Sequence, residues 1–378
     1  MRGEHVANEG WDDEEFRNKW QQQAEKIGRF NLAIFGKTGV GKSTLINAIF
    51  GREVAATGIG EPVTMDEVLH LHDNGFLGLL DTRGLEIGAD TDAIIKDLSQ
   101  HMKDRRKKQE TDQVHVAWYC VSANHKRFED TEADFIRRLD ELGLPVIVVL
   151  TQVPSRDGEL HGDAIELAEH IAARALPIVG GRPLPVMAQA DDFTRQPTHG
   201  LEDLLDATFR VAPEGVRVAL TAAQKIDMGR KFRQAQLAVW AAGALAGATS
   251  VFLKDEPKAL PTIVLGMTGA VAAIYGIPED IAALAWAAAA TAVTAAGGSV
   301  TDGLIALIPE EKVGAQDVVT GVVAGTIVVA VGYAWTAVCG QLAQGKLDGV
   351  GGLLQDGMVR ELFLTQFKKK FAQESGAA

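Results

Sequence analysis

The sequence predicts an α/β domain with a mostly parallel, Rossmann-like sheet and, after it, an all-α, alanine-rich helical domain. In residues 30–50 a strand, a glycine loop and a helix follow one another, and apolar strands then alternate with helical segments. From Leu237 to Gly345, by contrast, only 11 residues are Asp, Glu, Lys or Arg. A chain of 378 residues also has room for two or three domains. We therefore expect a helical arm over 1–29, the α/β domain over 30–212 and the helical domain over 213–378.

The composition limits the classes of function. Because 47% of the residues are hydrophobic, wholesale disorder is excluded. A net charge of -13 argues against nucleic acid as a partner, since neutralising phosphates needs a basic surface. The two cysteines, Cys120 and Cys339, lie in apolar runs, so we expect them to be buried rather than to bind a metal. The first residues lack the apolar core of a signal peptide, which predicts a cytoplasmic protein.

A phosphate-binding signature comes directly after the first strand. Residues 36–43 have the full G-x4-G-K-S spacing and lead into an apolar helix. Backbone N–H groups of such a loop turn toward a β-phosphate, and the helix N-terminus adds a positive dipole. Lys42 is predicted to neutralise the β and γ oxygens, and the Ser43 hydroxyl to hold Mg²⁺. The predicted nucleotide contacts in this segment are Gly36, Lys37, Thr38, Gly39, Val40, Gly41, Lys42, Ser43 and Thr44.

Two further segments are predicted to complete the site for the metal and the γ-phosphate. A strand over 76–80 runs directly into Asp81 and, three residues later, Gly84. Asp81 is placed to hold Mg²⁺ through water, and the Gly84 N–H to bond a γ-phosphate that only a triphosphate has. A threonine in the glycine-rich loop before this strand can close over the metal. Thr64 is the first choice for that threonine and Thr57 the second.

The remaining strands follow from apolar runs at 114–123, 145–150 and 184–187. Residues 65–72 are followed by Asp73-Asn-Gly75, a turn sequence, and are expected to pair with 76–80 as an antiparallel hairpin at the edge of the sheet. The nucleotide would then lie at the carboxyl ends of the parallel strands.

Together these three motifs resemble those of the translation-factor-related GTPases. Within that class, residues 114–123 and the turn 57–61 are similar to immunity-related, interferon-inducible GTPases, which are dynamin-related. The alanine-rich region, with Ala273-Ile-Tyr-Gly-Ile-Pro278, resembles a hydrophobic domain attached to bacterial GTPases of this kind. The resemblance implies GTP and GDP as nucleotides and Mg²⁺ as cofactor. It also implies a homodimer or homo-oligomer formed through the GTPase domain.

One departure from the family pattern concerns catalysis. Leu85 follows Gly84 where small signalling GTPases have a water-orienting glutamine. An apolar side chain cannot orient water by hydrogen bonding, so another group must do so. Glu61 and Arg83 are the candidates, in cis or across a dimer, with surface ion pairing as the alternative role for both.

A second departure concerns recognition of the base. After the strand 145–150 the family has Asn/Thr-Lys-x-Asp, whereas this chain has Thr151-Gln-Val-Pro154. The aspartate that accepts from guanine N1–H and N2–H is therefore absent from its expected place, and Asp157 is the candidate replacement. Gln152 can pack along the base, and backbone N–H groups over 188–190 can reach guanine O6. The predicted base contacts are Thr151, Gln152, Asp157, Ala188 and Gln189.

The uncharged runs of the helical domain allow two interpretations. Three of them reach the roughly 20 residues that span a bilayer. However, ten of the 21 residues in 281–301 are alanine, which contributes little transfer energy. One interpretation is a buried bundle in water. The other is helical hairpins that enter a lipid membrane, either permanently or in response to a trigger. The protein would then be found at the inner face of the membrane, peripherally bound or conditionally inserted.

Two amphipathic segments flank these runs. Residues 12–28 are expected to form one helix before the first strand. The C-terminal segment has an apolar stripe beside three lysines, which suits either packing on the N-terminal helix or binding to an acidic membrane surface. The stripe is Leu362, Phe363, Phe367 and Phe371, and the lysines are Lys368, Lys369 and Lys370.

Two classes of function fit these observations. The first is a GTPase whose nucleotide state controls dimerisation and engagement of the helical domain with a membrane, including membrane remodelling by analogy with dynamin-related proteins. The second is a slow nucleotide switch that recruits a partner with little turnover. An ATPase is a weaker third option, because the segment 151–154 departs from the guanine-reading pattern.

Overall fold

The computed structural model describes residues 13–51, 69–72, 75–81, 95–96, 99–100, 110–249, 259–294, 321–347 and 354–375. The chain divides into two compact units, Gly28–Asp227 and Met1–Ile27 together with Met228–Ala378. The first unit is α/β and the second is helical, which confirms the predicted fold class. Residues 213–227, which the sequence analysis assigned to the helical domain, cluster with the α/β unit, and the N-terminal arm clusters with the C-terminal helices.

The α/β unit is organised around a sheet that has six strands in the described part of the chain, in the order β2-β3-β1-β4-β5-β8. All neighbours are parallel except the edge pair β2 and β3, which confirms the predicted mostly parallel sheet with an antiparallel edge. Strands β6 and β7 form a separate small hairpin. The strands are β1 Phe30–Phe35, β2 Leu69–Leu71, β3 Leu77–Asp81, β4 Val116–Ser122, β5 Val146–Thr151, β6 Ser155–Arg156, β7 Glu159–Leu160 and β8 Leu184–Pro185.

Helices cover both faces of this sheet. They are α2 Lys42–Phe50, α3 Asp130–Glu141, α4 Gly162–Ala173, α5 Leu201–Val211 and α6 Arg217–Ala223. The central strands β1, β4 and β5 are mostly apolar and buried throughout, as expected for parallel strands between two helical layers. Trp118 on β4 stacks on Phe50 of α2, while its neighbour Tyr119 faces Phe135 of α3 on the opposite side. Successive residues of one strand therefore anchor the two helical layers.

The helical unit closes around a cluster of aromatic side chains. Its helices are α1 Asp13–Ile27, α7 Met228–Thr249, α8 Ala259–Tyr275, α9 Glu279–Thr294, α10 Gly321–Ala343 and α11 Asp356–Glu374. The ring centroids of Trp286 and Trp335 are 5.0 Å apart, and Phe16 of α1 lies 6.0 Å from Trp286. Phe363 of α11 lies 6.3 Å from the same tryptophan. Four helices distant in sequence thus meet at one point.

Close approach of α7 and α10 depends on small residues. A Cβ on Gly325 would lie 3.0 Å from the carbonyl oxygen of Gly243, and one on Gly332 would lie 2.6 Å from both methyl groups of Val239. Small residues allow such approach in water and in lipid alike. Among the described residues one segment, Val323–Ala343, is long and apolar enough to cross a bilayer, and 67% of its most apolar window is buried within the protein.

The C-terminal stripe is part of this core. Val359, Phe363, Phe367 and Phe371 are buried, whereas Leu362 is half-buried. Helix α11 packs mainly against α9 and α10, and α1 packs mainly against α8 and α9. The stripe therefore covers the bundle itself, so neither expectation for it, the N-terminal helix as its main partner or a membrane surface, describes this structure.

Candidate active site

The loop between β1 and α2 turns sharply under the constraint of its glycines. Gly36, Gly39 and Gly41 have φ values of 131°, 80° and 88°, in the left-handed region that favours glycine. At Gly36 the constraint is also steric, because a Cβ there would lie 2.3 Å from the carbonyl oxygen of Cys120. The loop therefore passes directly over the end of β4, and α2 begins at Lys42 immediately after it.

The side chain of Lys42, the first residue of α2, reaches back to the start of this loop. Its Nζ donates to the carbonyl oxygen of Gly36 at 2.6 Å and to that of Lys37 at 2.9 Å. Burial raises the pKa of the Cys120 thiol below the loop to about 12, although the nearby charge of Lys42 opposes that rise. The ammonium group is thus held where a phosphate bound in the loop would meet it.

The end of β5 supports the loop from a second side. The Thr151 hydroxyl is buried and donates to the carbonyl oxygen of Val40 at 2.6 Å, with the carbonyl oxygen of Val121 3.2 Å away. One side chain therefore connects the carboxyl ends of β4 and β5 to the phosphate-binding loop. This role was not predicted, because the sequence analysis assigned Thr151 to the base.

Gln152 provides a parallel connection. It has a positive φ of 57°, which turns the chain at the end of β5. Its Nε2 donates to the carbonyl oxygen of Gly39 at 3.3 Å, and its Oε1 accepts from the Ser122 hydroxyl at 2.6 Å and from Asn124 Nδ2 at 3.0 Å. The side chain is thereby fixed beside the loop, with both of its polar atoms in hydrogen bonds.

A cavity of about 490 Å³ opens beside these residues. Its lining combines Gly41 and Thr44 from the start of α2, Thr151 and Gln152 from the end of β5, and the run 187–193 after β8. The structure therefore brings together the predicted loop, Thr151, Gln152, Ala188 and Gln189. It does not bring Asp157 there: this residue has a φ of 53° at the tip of the β6–β7 hairpin and is not among the lining residues.

Lys37, also a predicted nucleotide contact, is engaged with two glutamates. Its Nζ lies 3.0 Å from Glu129 Oε1 and 3.5 Å from Glu132 Oε2. Burial alone would lower the pKa of Lys37, but the hydrogen bonds and charges of the two glutamates outweigh that effect and raise it. Glu132 is buried and also accepts from the Tyr119 hydroxyl at 3.3 Å. Lys37 lines a second cavity of about 290 Å³ that Arg127 shares.

Of the residues predicted to bind Mg²⁺, the structure describes only Ser43 and Asp81. Ser43 and Thr44 are exposed in the first turn of α2. The backbone of Asp81 ends β3 and pairs in register with Ile34, so Asp81 lies at the carboxyl edge beside the strand that enters the loop. Serine and aspartate are residue types with the oxygen ligands that Mg²⁺ prefers, and Ser43 and Asp81 stand at this helix start and this strand end in the chain. The other predicted residues, Thr57, Glu61, Thr64, Arg83 and Gly84, lie outside the described residues, as does Leu85.

Comparison with known proteins agrees with this geometry. The 50S ribosome-binding GTPase family matches residues 31–152, from β1 to the end of β5. These residues form a P-loop GTPase domain. GTP and GDP are the nucleotides of such a domain, and Mg²⁺ is its usual metal. The family match ends at Gln152, so most of the lining of the cavity that Thr151 and Gln152 share comes from residues after it.

Individual relatives extend the similarity beyond the matched GTPase domain. GTPase Der of Nitrobacter winogradskyi is 31% identical over 194 residues, which is 49% of this chain and 36% of that protein. GTPase Der of Brucella suis is 30% identical over 190 residues, or 49% and 34% of the two chains. GTPase Der of Deinococcus deserti is 28% identical over 185 residues, or 48% and 36%. The chain thus spans about a third of the length of these curated relatives.

The sequence did not predict four residues that line the cavity beside the phosphate-binding loop, of which Met187 is the first. The other three, Asp191, Asp192 and Phe193, come directly after the segment 188–190 that was predicted to reach guanine O6. The signal that could have found these three is the acidic pair itself, placed soon after β8 in a chain that lacks the usual base-reading aspartate.

Proposed function

We propose that this protein binds GTP at the loop 36–43 and hydrolyses it to GDP and phosphate. The observation that carries the proposal is Lys42, held at the start of α2 over a loop whose three glycines have positive φ, beside the carboxyl ends of β1 and β3. Water attacks the γ-phosphorus and the bond to the β–γ bridging oxygen breaks, so that GDP leaves with that oxygen. Ser43 and Asp81 are the residues that would hold Mg²⁺, which would supply positive charge against the negative charge of the phosphates.

The chain's own residues have defined tasks in this reaction. Backbone N–H groups of the loop and the first turn of α2 bind the phosphates. Lys42 Nζ exchanges its carbonyl partners, Gly36 and Lys37, for phosphate oxygens, and its charge offsets the charge that develops on them. Thr151 and Gln152 keep the loop in shape before the nucleotide arrives, so little reorganisation is needed on binding.

The finer proposal is that turnover depends on self-association. Leu85 cannot orient the attacking water, so Glu61 or Arg83, together with Thr64 and Gly84 around the γ-phosphate, would complete the site within the chain or across a dimer. The likeness of 57–61 and 114–123 to immunity-related, dynamin-related GTPases supports this proposal. The second candidate, a slow switch that recruits a partner, is favoured by the same Leu85 if no second copy compensates for it.

We further propose that the helical unit associates with a membrane surface. Helix α7 has a stripe of exposed apolar side chains, with Leu237, Trp240 and Leu245 exposed by 65%, 46% and 52%. Lys370 lies beside the stripe, with its Nζ 5.9 Å from the centre of the Trp240 ring, but it is paired with Glu374 at 2.7 Å, so the apolar side chains alone support the proposal. Exposed apolar side chains along one helix suit the interface of a lipid surface. Most of Val323–Ala343 is buried in the bundle, so we propose that this arrangement of the helices contacts the membrane surface and does not span the membrane. Membrane remodelling would be a consequence of that contact.

The catalytic proposal is tested by Mg²⁺-dependent GTP turnover per mole of protein across a hundredfold dilution, with ATP as the competing substrate. We expect preference for GTP and a specific activity that rises with concentration. Lys42→Ala should reduce nucleotide affinity and turnover by about 100-fold or more, because a charge-assisted phosphate contact is lost. Lys369→Ala, which removes an exposed lysine of the helical unit, is the matched control. Flat, very slow turnover with intact GTP binding would select the switch, and a preference for ATP would contradict GTPase activity.

The membrane proposal is tested by flotation with vesicles that contain acidic phospholipid, with and without GTP. Leu237→Glu together with Leu245→Glu should abolish flotation, since two charges would enter the contact. Ile165→Glu is the matched control, because Ile165 is a comparably exposed apolar residue of the α/β unit. Equal flotation of all three proteins, or none by the wild type, would remove membrane association from the proposed function.

A further inference from the structure

Recognition of guanine needs an acceptor for two adjacent N–H groups, and the usual position cannot supply it. Pro154 has no polar side-chain atom, and Asp157 is at the tip of the β6–β7 hairpin, outside the cavity lining. The same cavity is nevertheless lined by two carboxylate residues, Asp191 and Asp192. They enter from the loop after β8 instead of from the end of β5.

That loop is anchored to the segment that normally carries the acceptor. A bridge joins Met187 to His199, and a second joins Asp191 to Gln196. Gln196 Oε1 accepts from the backbone N–H of Ser155 at 2.8 Å, and His199 Nε2 lies 2.9 Å from the carbonyl oxygen of Val153. The loop 187–199 therefore has a fixed position next to residues 153–155, which allows it to take over a task from them.

The two aspartates have different surroundings. Asp191 Oδ1 accepts from the backbone N–H groups of Phe193 at 3.0 Å and Thr194 at 3.3 Å, and Oδ2 accepts from the Thr194 hydroxyl at 2.6 Å. These bonds, those of Thr194 first, lower the pKa of Asp191 and commit its carboxylate to the turn. Asp192 comes next in the chain and is exposed, and no side chain or backbone group of the described residues donates to its carboxylate.

We propose that Asp192 is the residue that selects guanine, its two carboxylate oxygens accepting from N1–H and N2–H of the base. The proposal rests on the proposed function, since it needs the phosphates of the nucleotide in the loop 36–43. Gly41 and Thr44 line the same cavity, so a base placed there stays connected to that loop. A carboxylate has only acceptors, which suits the two donors of guanine and disfavours adenine, whose N1 is itself an acceptor.

Phe193 completes this arrangement. It lines the cavity yet is 95% exposed, an unusual position for a large aromatic side chain. We assign to it the face of the base, which it can cover by stacking irrespective of base identity. Asp192 thus determines which base is bound, and Phe193 contributes to affinity for any base.

The test is calorimetric titration of the full chain with GDP, ADP and xanthosine diphosphate in the presence of Mg²⁺. Asp192→Asn should weaken GDP binding by about 30-fold, because one of two charged acceptors becomes a donor. The same variant should strengthen binding of xanthosine diphosphate, since a carboxamide matches the N1–H and O2 of xanthine. Phe193→Ala should weaken all three diphosphates by a similar factor, about fivefold.

Three further proteins separate the possible failures. Asp203→Asn removes an exposed carboxylate of α5 and should bind as the wild type does. Asp157→Asn tests the alternative acceptor. If this variant binds GDP more weakly and xanthosine diphosphate more tightly while Asp192→Asn does neither, the assignment to Asp192 is wrong. If instead the wild type binds no guanine nucleotide, or binds as weakly as Lys42→Ala, the proposed function itself fails. A guanine preference that survives in Asp192→Asn overturns this inference alone.

Discussion

The two units of this protein use different physical means to fix their structure. In the α/β unit, polar side chains converge on the carboxyl edge of the sheet, where Thr151 and Gln152 hydrogen-bond to the carbonyl oxygens of Val40 and Gly39. In the helical unit, aromatic rings and glycines meet in the core, and Trp335 Nε1 donates there to the carbonyl oxygen of Thr268 at 2.8 Å. Ion pairs such as that of Arg17 with Glu279 lie outside this core. Hydrogen bonds are directional, so they hold the loop in one backbone conformation. Packing of apolar side chains constrains mainly their volume and shape. The polar edge is therefore where the chemistry of this protein is concentrated.

This contrast predicts that the units can be damaged separately, and the largest effect is expected in the helical core. Trp335→Ala removes a buried ring that touches Phe16 and Trp286, and should lower the free energy of unfolding of the helical unit by about 3–5 kcal/mol. GDP binding by the α/β unit should not change. Leu237→Ala, at an exposed position, is the matched control and should cost well under 1 kcal/mol.

The chain contains its own reporters for this experiment, since each unit has one cysteine. Both are buried, and burial raises the pKa of Cys339 well above its ordinary value, as it does for Cys120. Neither thiol should therefore react with a thiolate-selective reagent at pH 8 in the folded state. Trp335→Ala should accelerate labelling of Cys339 and leave Cys120 protected. If both become reactive together, the two units unfold as one and cannot be damaged separately.

A smaller effect is expected where packing depends on the absence of a side chain. Gly332→Ala would place a Cβ within 2.6 Å of Val239 and 2.8 Å of Met267 Sδ, so we expect a loss of about 1–3 kcal/mol of stability in the helical unit. Gly266→Ala is the matched control in α8, because nothing lies within 4 Å of its added Cβ. That variant should gain about 0.5–1 kcal/mol, since alanine is the better helix former. Thermal unfolding followed by circular dichroism measures both, and an equal effect at the two glycines would contradict the packing of α7 against α10.

The same contrast explains what the sequence could predict. The loop 36–43 was predictable because its chemistry lies in eight consecutive residues, and the sheet because its strands are apolar runs of fixed period. The lining after β8 was not, since Asp192 is about 40 residues from the motif that it is proposed to replace and only the fold brings them together. The ion pair between Lys37 and Glu129 could not be predicted for the same reason, because the two residues are far apart in the sequence.

In the helical unit, amphipathic periodicity indicated which face of α11 is apolar but not which helix covers it. The apolar face packs mainly against α9 and α10, because the aromatic cluster at Trp286 and Trp335 provides a receptor for Phe363. Composition could not decide between water and lipid either, since alanine and glycine allow close helix packing in both. The arrangement of partners in space, which periodicity does not encode, was the missing information.

The smallest effect is expected from a substitution of Thr151. It tests whether hydrogen bonds to the phosphate-binding loop have a role in the α/β unit that apolar packing cannot replace. Thr151→Val keeps the shape of the side chain but removes the donor to the carbonyl oxygens of Val40 and Val121. The phosphate-binding loop then loses a fixed point, and we expect GDP affinity to fall by about tenfold, equivalent to about 1.4 kcal/mol. Calorimetric titration with GDP and Mg²⁺ measures this change.

Thr208→Val is the matched control, because Thr208 is equally buried in the same unit and its hydroxyl bonds to Trp118 Nε1 and to the carbonyl oxygen of Leu204, away from the loop. It should lower stability by about 1–2 kcal/mol, since a buried indole N–H loses its acceptor, and should leave GDP affinity unchanged. If both variants lose affinity equally, Thr151 acts only through general stability. If only Thr151→Val loses affinity, the loop is shaped by its hydrogen bonds before nucleotide arrives, and the polar edge of the sheet is preorganised for binding.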